Sequence, residues 1–433
     1  MTALRKLFLV FFSLFGAQAS LAQDDDFVFY SDLARDWYQG GDYFEWTSTT
    51  EDNNAKKVNV FYRTWGDETK PKLVLIHGFP NSSFDYYKMI PFLEDEYHIA
   101  ALDFPGSGFS DKPLDGYNYM LAENAEIVDY FVREIVEFED FALYTHDRGV
   151  SIGLAFLGNY LDNPNPGYKV NYHFLSNSGM FLPLANLSPG QLRMLDTESA
   201  EQLLAFRASL PRLTDGKSES VAYSDIFAFN QGNNSLIYVG RYLLERQANE
   251  VRWLENLPRS PVPVAYLWGL ADNVNPVRIS NHVWDTYLND RPAQSSFWVL
   301  PTAGHYPQRD NPEEVVKVIR MALTGQLPDR EEEDEFMRSY GARRAPEDAA
   351  LVGHTKIEAL DFPSSIEYTP SGYRNRLEIN LYPSEWPTTL CFGLVFTKDK
   401  LCKTTSHLLL ASVCSHFSRR HLWSVRSSLI VLI

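Results

Sequence analysis

Cysteine is nearly missing from this chain: three residues in 433, and all three, Cys391, Cys402 and Cys414, sit near the C-terminus. Everything before them is without disulfides, thiolate nucleophiles or cysteine-held zinc, so it must be held by its core and react through oxygen and nitrogen groups. Positive charge is also scarce, with 39 Lys and Arg against 56 Asp and Glu, a net charge of −17 and a pI near 5.1. That balance argues against nucleic acid or an anionic membrane as a partner. Long apolar runs are lacking too. The stretches Leu7–Phe15, His407–Val413 and Ser428–Ile433 are each too short to cross a bilayer as a helix.

What is present is material for a large core: 45% of residues are hydrophobic and 14% aromatic, with an ordinary 22% charged. The length fits one catalytic domain with an insertion and extra segments. At the N-terminus, Arg5 and Lys6 precede the apolar run Leu7–Phe15 and the small residues ending in Ser20-Leu21-Ala22. This is the pattern of a signal peptide over residues 1–22, cleaved after Ala22, which predicts a secreted or periplasmic protein without stable membrane insertion after cleavage; an uncleaved N-terminal anchor is the alternative. Beyond Leu327 the composition changes, and residues 327–433 read as an irregular tail, with a charge run at Arg330–Glu335 and a polar, Pro-containing stretch at Ala345–Trp386. From Cys391 onward there are six Lys or Arg and one Asp, leaving 33 basic and 55 acidic residues, a balance of −22, in the rest. The reversal is foreign to the remainder, and residues 388–433 are read as a gene-model or reading-frame artefact, with a surface-binding tail as the other reading.

Between these ends, strand and helix patterns alternate. Lys57–Trp65, Lys72–His77 and His98–Asp103 read as strands, and Leu121–Glu137 reads as a helix with Ala125, Val128, Phe131, Val132 and Ile135 on one face. The strand Phe141–Tyr144, the helix Val150–Tyr160 and the strand Tyr172–Leu175 follow. Such alternation predicts an α/β class with a doubly wound, mostly parallel sheet. The alternation stops over residues 181–258, where Gln191–Phe206 and Ser235–Leu257 are helical in pattern, so an inserted helical cap divides the core into residues 23–180 and 259–326. The sheet pattern resumes with the strand Val262–Leu267, the helix Asn281–Leu288, the strand Ser296–Leu300 and the helix Pro312–Leu323.

The chemistry concentrates where strands end. Tyr144-Thr145-His146-Asp147-Arg148-Gly149 is a tight polar turn between a strand and a helix, the geometry of a nucleophile elbow. Gly149 and Gly153 give the room that the close backbone needs, whereas Thr145 stands where glycine is common. Asp147 alone would serve as well as a helix cap. Its partners argue for more. Asp272 follows the strand Val262–Leu267 and His305 follows the strand Ser296–Leu300, so nucleophile, acid and histidine fall in that order at successive strand ends, where active sites of open α/β sheets gather. His77-Gly78-Phe79-Pro80, after a central strand, offers the Phe79 N–H for an oxyanion hole, and Arg148 offers a second. Asp103, before the glycine loop Phe104–Ser110, is read as holding that loop.

With these motifs in place, residues 57 to 324 resemble the α/β hydrolase superfamily in its epoxide hydrolase and haloalkane dehalogenase branch. Within it, His77–Ser83, the loop carrying Phe109-Ser110-Asp111-Lys112-Pro113, and Gly304-His305-Tyr306-Pro307-Gln308 are most similar to the mesoderm-specific transcript proteins. The resemblance implies a covalent alkyl-enzyme ester on Asp147, with His305 as base, Asp272 as its orienting acid, a small-molecule substrate and no metal or organic cofactor. It also bears on the leaving group. Arg148 and Phe79 stand where dehalogenases carry halide donors, and Ser151 stands where haloacetate dehalogenases carry a second Arg, so haloalkane or haloacetate dehalogenation is the second reading. Epoxide hydrolysis leads, with cap tyrosines Tyr242 and Tyr238, and with His146, as candidate substrate-binding residues. A binding protein on the same scaffold is the reading of another class.

Overall fold

The computed structural model describes residues 27–196, 202–203, 211–215, 218–327 and 348–354. The expected signal segment and most of the tail, including all three cysteines, lie outside the described residues. Nine strands form one sheet: β1 (Asp42–Thr47), β2 (Lys57–Trp65), β3 (Lys72–Ile76), β4 (His98–Leu102), β5 (Asp140–His146), β6 (Lys169–Ser176), β7 (Val264–Gly269), β8 (Ser295–Leu300) and β9 (Ala350–His354). Their order is β1-β2-β4-β3-β5-β6-β7-β8-β9. From β4 to β8 every pairing is parallel, while β1, β2 and β9 run antiparallel to their neighbours.

The parallel strands are apolar at consecutive positions because both faces of the sheet are covered. On β3, Val74 and Ile76 enter one core cluster, while Leu73 and Leu75 enter the other. All four are fully buried, and each such side chain contributes about 1.5–3 kcal/mol relative to exposure.

The helices are α1 (Asp32–Gln39), α2 (Leu121–Tyr130), α3 (Arg148–Asp162), α4 (Pro189–Leu195), α5 (Glu219–Ala228), α6 (Gly232–Gly240), α7 (Tyr242–Leu254), α8 (Asn256–Arg259), α9 (Val277–Val283), α10 (Pro307–Asp310) and α11 (Pro312–Thr324). Five of them, α4 to α8, lie between β6 and β7 in the chain. The helix expected from Gln191 starts earlier, at Pro189, because Ser188 and Gln191 form a reciprocal capping box. The single helix expected over residues 235–257 is instead divided among α6, α7 and α8.

Two carboxylates fasten this inserted region to the core. Asp225 on α5 accepts from the backbone N–H groups of Tyr30 and Ser31, each at 2.7 Å, just before α1. Glu245 on α7 accepts from Leu121 N–H at 2.5 Å and Ala122 N–H at 3.0 Å, taking the place of an N-cap for α2, whose own cap residue Met120 has no side-chain acceptor. Four elements outside the inserted region escaped the sequence reading: α1, β1, α10 and β9. The last falls inside the stretch read as irregular tail, yet Leu351 and Val352 are buried, one in each core cluster.

Candidate active site

β5 ends at the elbow. Asp147 adopts φ 50°, ψ −116°, a backbone region that side-chain-bearing residues seldom occupy. Surrounding hydrogen bonds hold it there: its N–H donates to the carbonyls of Ser176 and Asn177, and its own carbonyl accepts from Ser178 Oγ at 2.6 Å and Val150 N–H at 3.1 Å. Backbone crowds the turn, since a Cβ on Gly78 would lie 2.6 Å from Asp147 Cβ, and one on Gly149 would lie 2.5 Å from the Ile76 carbonyl oxygen. Thr145 fits because its hydroxyl donates to the Phe174 carbonyl at 3.1 Å and its methyl faces the space left by Gly153.

Three strand ends bring the expected triad together. His305 Nε2 lies 3.7 Å from Asp147 Oδ2, and His305 Nδ1 lies 2.9 Å from Asp272 Oδ2. Asp272 is fixed in turn: Oδ1 accepts from Val274 N–H (2.8 Å) and Asn275 N–H (2.9 Å), and Oδ2 accepts from Asn177 Nδ2 (2.8 Å). Burial would depress the His305 imidazole, but the charge and hydrogen bond of Asp272, joined by the charge of Asp147, raise it to about 9. Burial would likewise raise the Asp147 carboxyl, and the opposing pull of His305, Arg246, His146 and the Phe79 N–H leaves it below the usual carboxylate value. The resting site is therefore an ionised carboxylate beside an imidazolium.

Phe79 N–H donates to Asp147 Oδ1 at 2.8 Å, which is where an oxyanion would form if that carboxyl became an ester under attack. Arg148 N–H makes no such bond among the described residues; it starts α3. His77 orders the turn behind Phe79: its Nδ1–H donates to the Gly78 carbonyl (2.7 Å) and its Nε2 accepts from Phe104 N–H (3.1 Å). Burial lowers this imidazole to about 3, so it stays neutral in that tautomer. Asp103 holds the glycine loop as expected, accepting from Ser83 N–H and Phe109 N–H.

The candidate substrate residues separate. Tyr242 is buried on the site side of α7, with its ring centroid 5.5 Å from that of Phe79. Tyr238 does not join it. At 37% exposure it points outward, because α6 turns Ser235, Leu236 and Val239 inward instead, so its assignment to the substrate pocket is corrected. His146 is buried with Nε2 donating to the His305 carbonyl at 2.7 Å, which makes it a support for the base rather than a substrate contact.

Four further residues were missed. Asn177, Ser178 and Asn275 hold Asp272 or Asp147, and they too follow strand ends, the one signal that could have marked them. The fourth is Arg246 on α7, one turn past Tyr242. Its Nε donates to Ser151 Oγ at 2.9 Å and its Nη2 to the Asp147 carbonyl at 3.3 Å. Arg148 is wholly buried, and Nε, Nη1 and Nη2 have no hydrogen-bond partner among the described residues. Burying a charge without a partner costs on the order of several kcal/mol, and burial lowers this guanidinium to about 10. Among the described residues no group of His, Cys, Asp and Glu could hold a metal ion.

This elbow, triad and strand order have a counterpart among known families: the alpha/beta hydrolase family profile matches residues 73–318. The chain belongs to the α/β hydrolase family. It is similar to LipZ of Mycobacterium tuberculosis, a protein named only provisionally as a hydrolase, at 31% identity over 292 residues, covering 65% of this chain and 95% of that protein. The human mesoderm-specific transcript homolog protein is 29% identical over 284 residues, covering 62% and 83%. Epoxide hydrolase 1 of Caenorhabditis elegans is 23% identical over 304 residues, covering 62% and 68%. An α/β hydrolase with this sheet, mostly parallel with helices on both faces, is thus what the residues build.

Proposed function

We propose that this hydrolase works through a covalent ester on Asp147 and that its electrophile is an epoxide. The observation that carries the reading is the division of labour on one carboxylate: Oδ1 is held by the Phe79 N–H at 2.8 Å while Oδ2 faces His305 Nε2 at 3.7 Å. Oδ2 attacks a ring carbon, the carbon–oxygen bond breaks, and the ring oxygen takes a proton from the Tyr242 hydroxyl. Burial and the Asp147 charge raise that phenol, so it keeps its proton until the ring oxygen needs it. Esterification then removes the negative charge of Asp147, one of the influences that keep His305 protonated, and the imidazolium gives up its proton to the Tyr242 phenolate. The neutral imidazole takes a proton from water, the water oxygen adds to the ester carbonyl carbon, and the oxyanion develops on Oδ1 against the Phe79 N–H. Collapse breaks the bond from the carbonyl carbon to the diol oxygen, that oxygen takes a proton from the His305 imidazolium, and the Asp147 carboxyl returns its own proton to the imidazole, which restores the carboxylate.

A single turnover in oxygen-18 water tests this: the first diol formed should carry unlabelled oxygen from Asp147, and His305→Gln should trap an adduct whose mass equals enzyme plus epoxide. Label appearing directly in the first-turnover product would remove the covalent step. Trapping with haloalkanes alone would shift the reading to dehalogenation, and no product from epoxides, haloalkanes or short esters would leave a binding protein. Residues 1–22 are proposed as an export signal, which N-terminal sequencing of the mature protein tests.

A further inference from the structure

Asp85 is fully buried on the short turn Ser83–Tyr86, just past Phe79 in the chain. Three separate parts of the molecule converge on it. Its Oδ1 accepts from the Tyr223 hydroxyl of α5 at 2.7 Å and from Asn81 Nδ2 at 2.9 Å, while Arg309 Nη1 of α10 stands 3.7 Å away. Its Oδ2 has no hydrogen-bond partner among the described residues. Burial pushes this carboxyl up to about 6, against the opposing pull of Arg309, Tyr223, Asn81 and His305. A buried carboxylate with one bare oxygen is a poor source of stability, because apolar side chains of similar volume often serve as well or better. Its neighbours lead instead to the base. Arg309 lies four residues past His305, with its guanidinium 4.5 Å from the ring centroid of Tyr223 and 4.8 Å from that of Tyr306. Its Nε and Nη2 each stand 3.2 Å from Glu219 Oε1 on α5, and Glu219 Oε2 accepts from Lys88 Nζ at 2.9 Å. Tyr306 packs edge-on against the His305 ring, 4.7 Å between centroids, and lies 5.1 Å from the ring of His146, which supports the His305 carbonyl. An unbroken line of contacts thus runs from the inserted region through Arg309 and Tyr306 to the imidazole.

We infer that Asp85 is a positioning residue for His305, acting through Arg309 and Tyr306. This rests on the reading of His305 as the base and adds a residue that sets its angle. Asp85 holds the guanidinium from the core and Glu219 holds it from the inserted region, so the seating of that region and the tilt of the imidazole depend on one group. Taking a proton from water requires the ring at the right angle, whereas attack by Asp147 on carbon does not. The two half-reactions should therefore differ in their need for Asp85. The charges facing His305 are those of Asp272, Asp147 and Asp85, with His146 held neutral by burial; those facing Asp85 are Arg309 and His305, with the Tyr223 phenol beside them.

The test follows the two half-reactions by stopped flow on the full chain, with styrene oxide as the probe. In Asp85→Asn, which keeps the shape and removes the charge, adduct formation should stay within about twofold while adduct hydrolysis falls about tenfold. Arg309→Gln should show the same one-sided loss, and the double variant should be no slower than either single one, because the pair acts as a unit. The pH midpoint of the His305 ring, followed by NMR, should fall by at least about half a unit in Asp85→Asn, where an anion is lost, and rise in Arg309→Gln, where a cation is lost. Slowing of one sign with shifts of opposite sign marks positioning, since a field effect alone would not slow both. Equal slowing of both half-reactions, additive losses in the double variant, or a fixed His305 midpoint would overturn the proposal and leave Asp85 a packing group. Should Asp85→Asn fail to fold, Tyr223→Phe cuts the same set more gently: a loss of about threefold confined to hydrolysis upholds the proposal, and no loss overturns it. Where no adduct forms at all, the nucleophile reading loses its support while the His305 titration still decides this inference, with shifted midpoints upholding it and fixed ones overturning it.

Discussion

At the scale of single residues, the site depends on groups that hold the reacting ones still. Asn177 donates to Asp272 Oδ2 while its side-chain oxygen accepts from Gly269 N–H at 2.7 Å, so one amide ties the acid to the end of β7. Asn177→Ala would leave a buried N–H and a carboxylate oxygen each short of a partner. It should lower stability by about 1–3 kcal/mol and reduce the ester-hydrolysis half-reaction more than adduct formation. Stopped-flow separation of the two half-reactions, with urea unfolding alongside, checks it; equal slowing of both halves would count against an orienting role. The three side chains that meet, Asp147, Asp272 and His305, were legible in sequence because each lies in a strand-end loop with distinctive neighbours. Arg246 was not, since a charged residue on an amphipathic helix is ordinarily a solvated one, and only the packing of α7 against α3 brings it to Ser151. Tyr238 was misplaced for the same reason: helical spacing locates a residue on a face without saying which face turns inward.

At the scale of elements, the strands of the parallel sheet could be read because burial on both faces demands unbroken apolar runs. The edges could not. β1 is a six-residue strand that buries only Phe44 and Trp46, and β9 is a five-residue strand cut off from the rest of the sheet by a highly charged stretch. Its worth can be measured. Versions of the protein ending at residue 330 and at residue 360 differ by β9, which buries Leu351 and Val352. The shorter version should be less stable by about 3–6 kcal/mol, the summed burial of two large aliphatic side chains, and should aggregate through the uncovered edge of β8. Chemical denaturation of both versions decides it, and equal midpoints would show that β9 carries no weight.

At the scale of the whole molecule, the coupled charges of the site set a pH profile. His305 is raised from 6.5 to about 9, so its contribution to stability is complete below about pH 6.5 and is lost as pH climbs through 9. Asp147 and Asp272 are lowered, so theirs is present above the ordinary carboxylate value of 3.8 and is lost as acid protonates them. Thermal stability should therefore be greatest between roughly pH 5 and 6.5 and decline toward pH 9, by an amount on the order of 3 kcal/mol. In His305→Gln the alkaline decline should flatten; a decline of undiminished size would assign it to other groups.

The helix Tyr242–Leu254 carries the phenol near the nucleophile, the guanidinium on Ser151 and the carboxylate that anchors α2, all within its first five residues. A rigid rod so loaded behaves as a single mechanical part. Any tilt that admitted a substrate would unseat the proposed proton donor, weaken the positive field at Asp147 and loosen a core helix at the same moment, so access and readiness for the proposed chemistry would be exchanged in one movement.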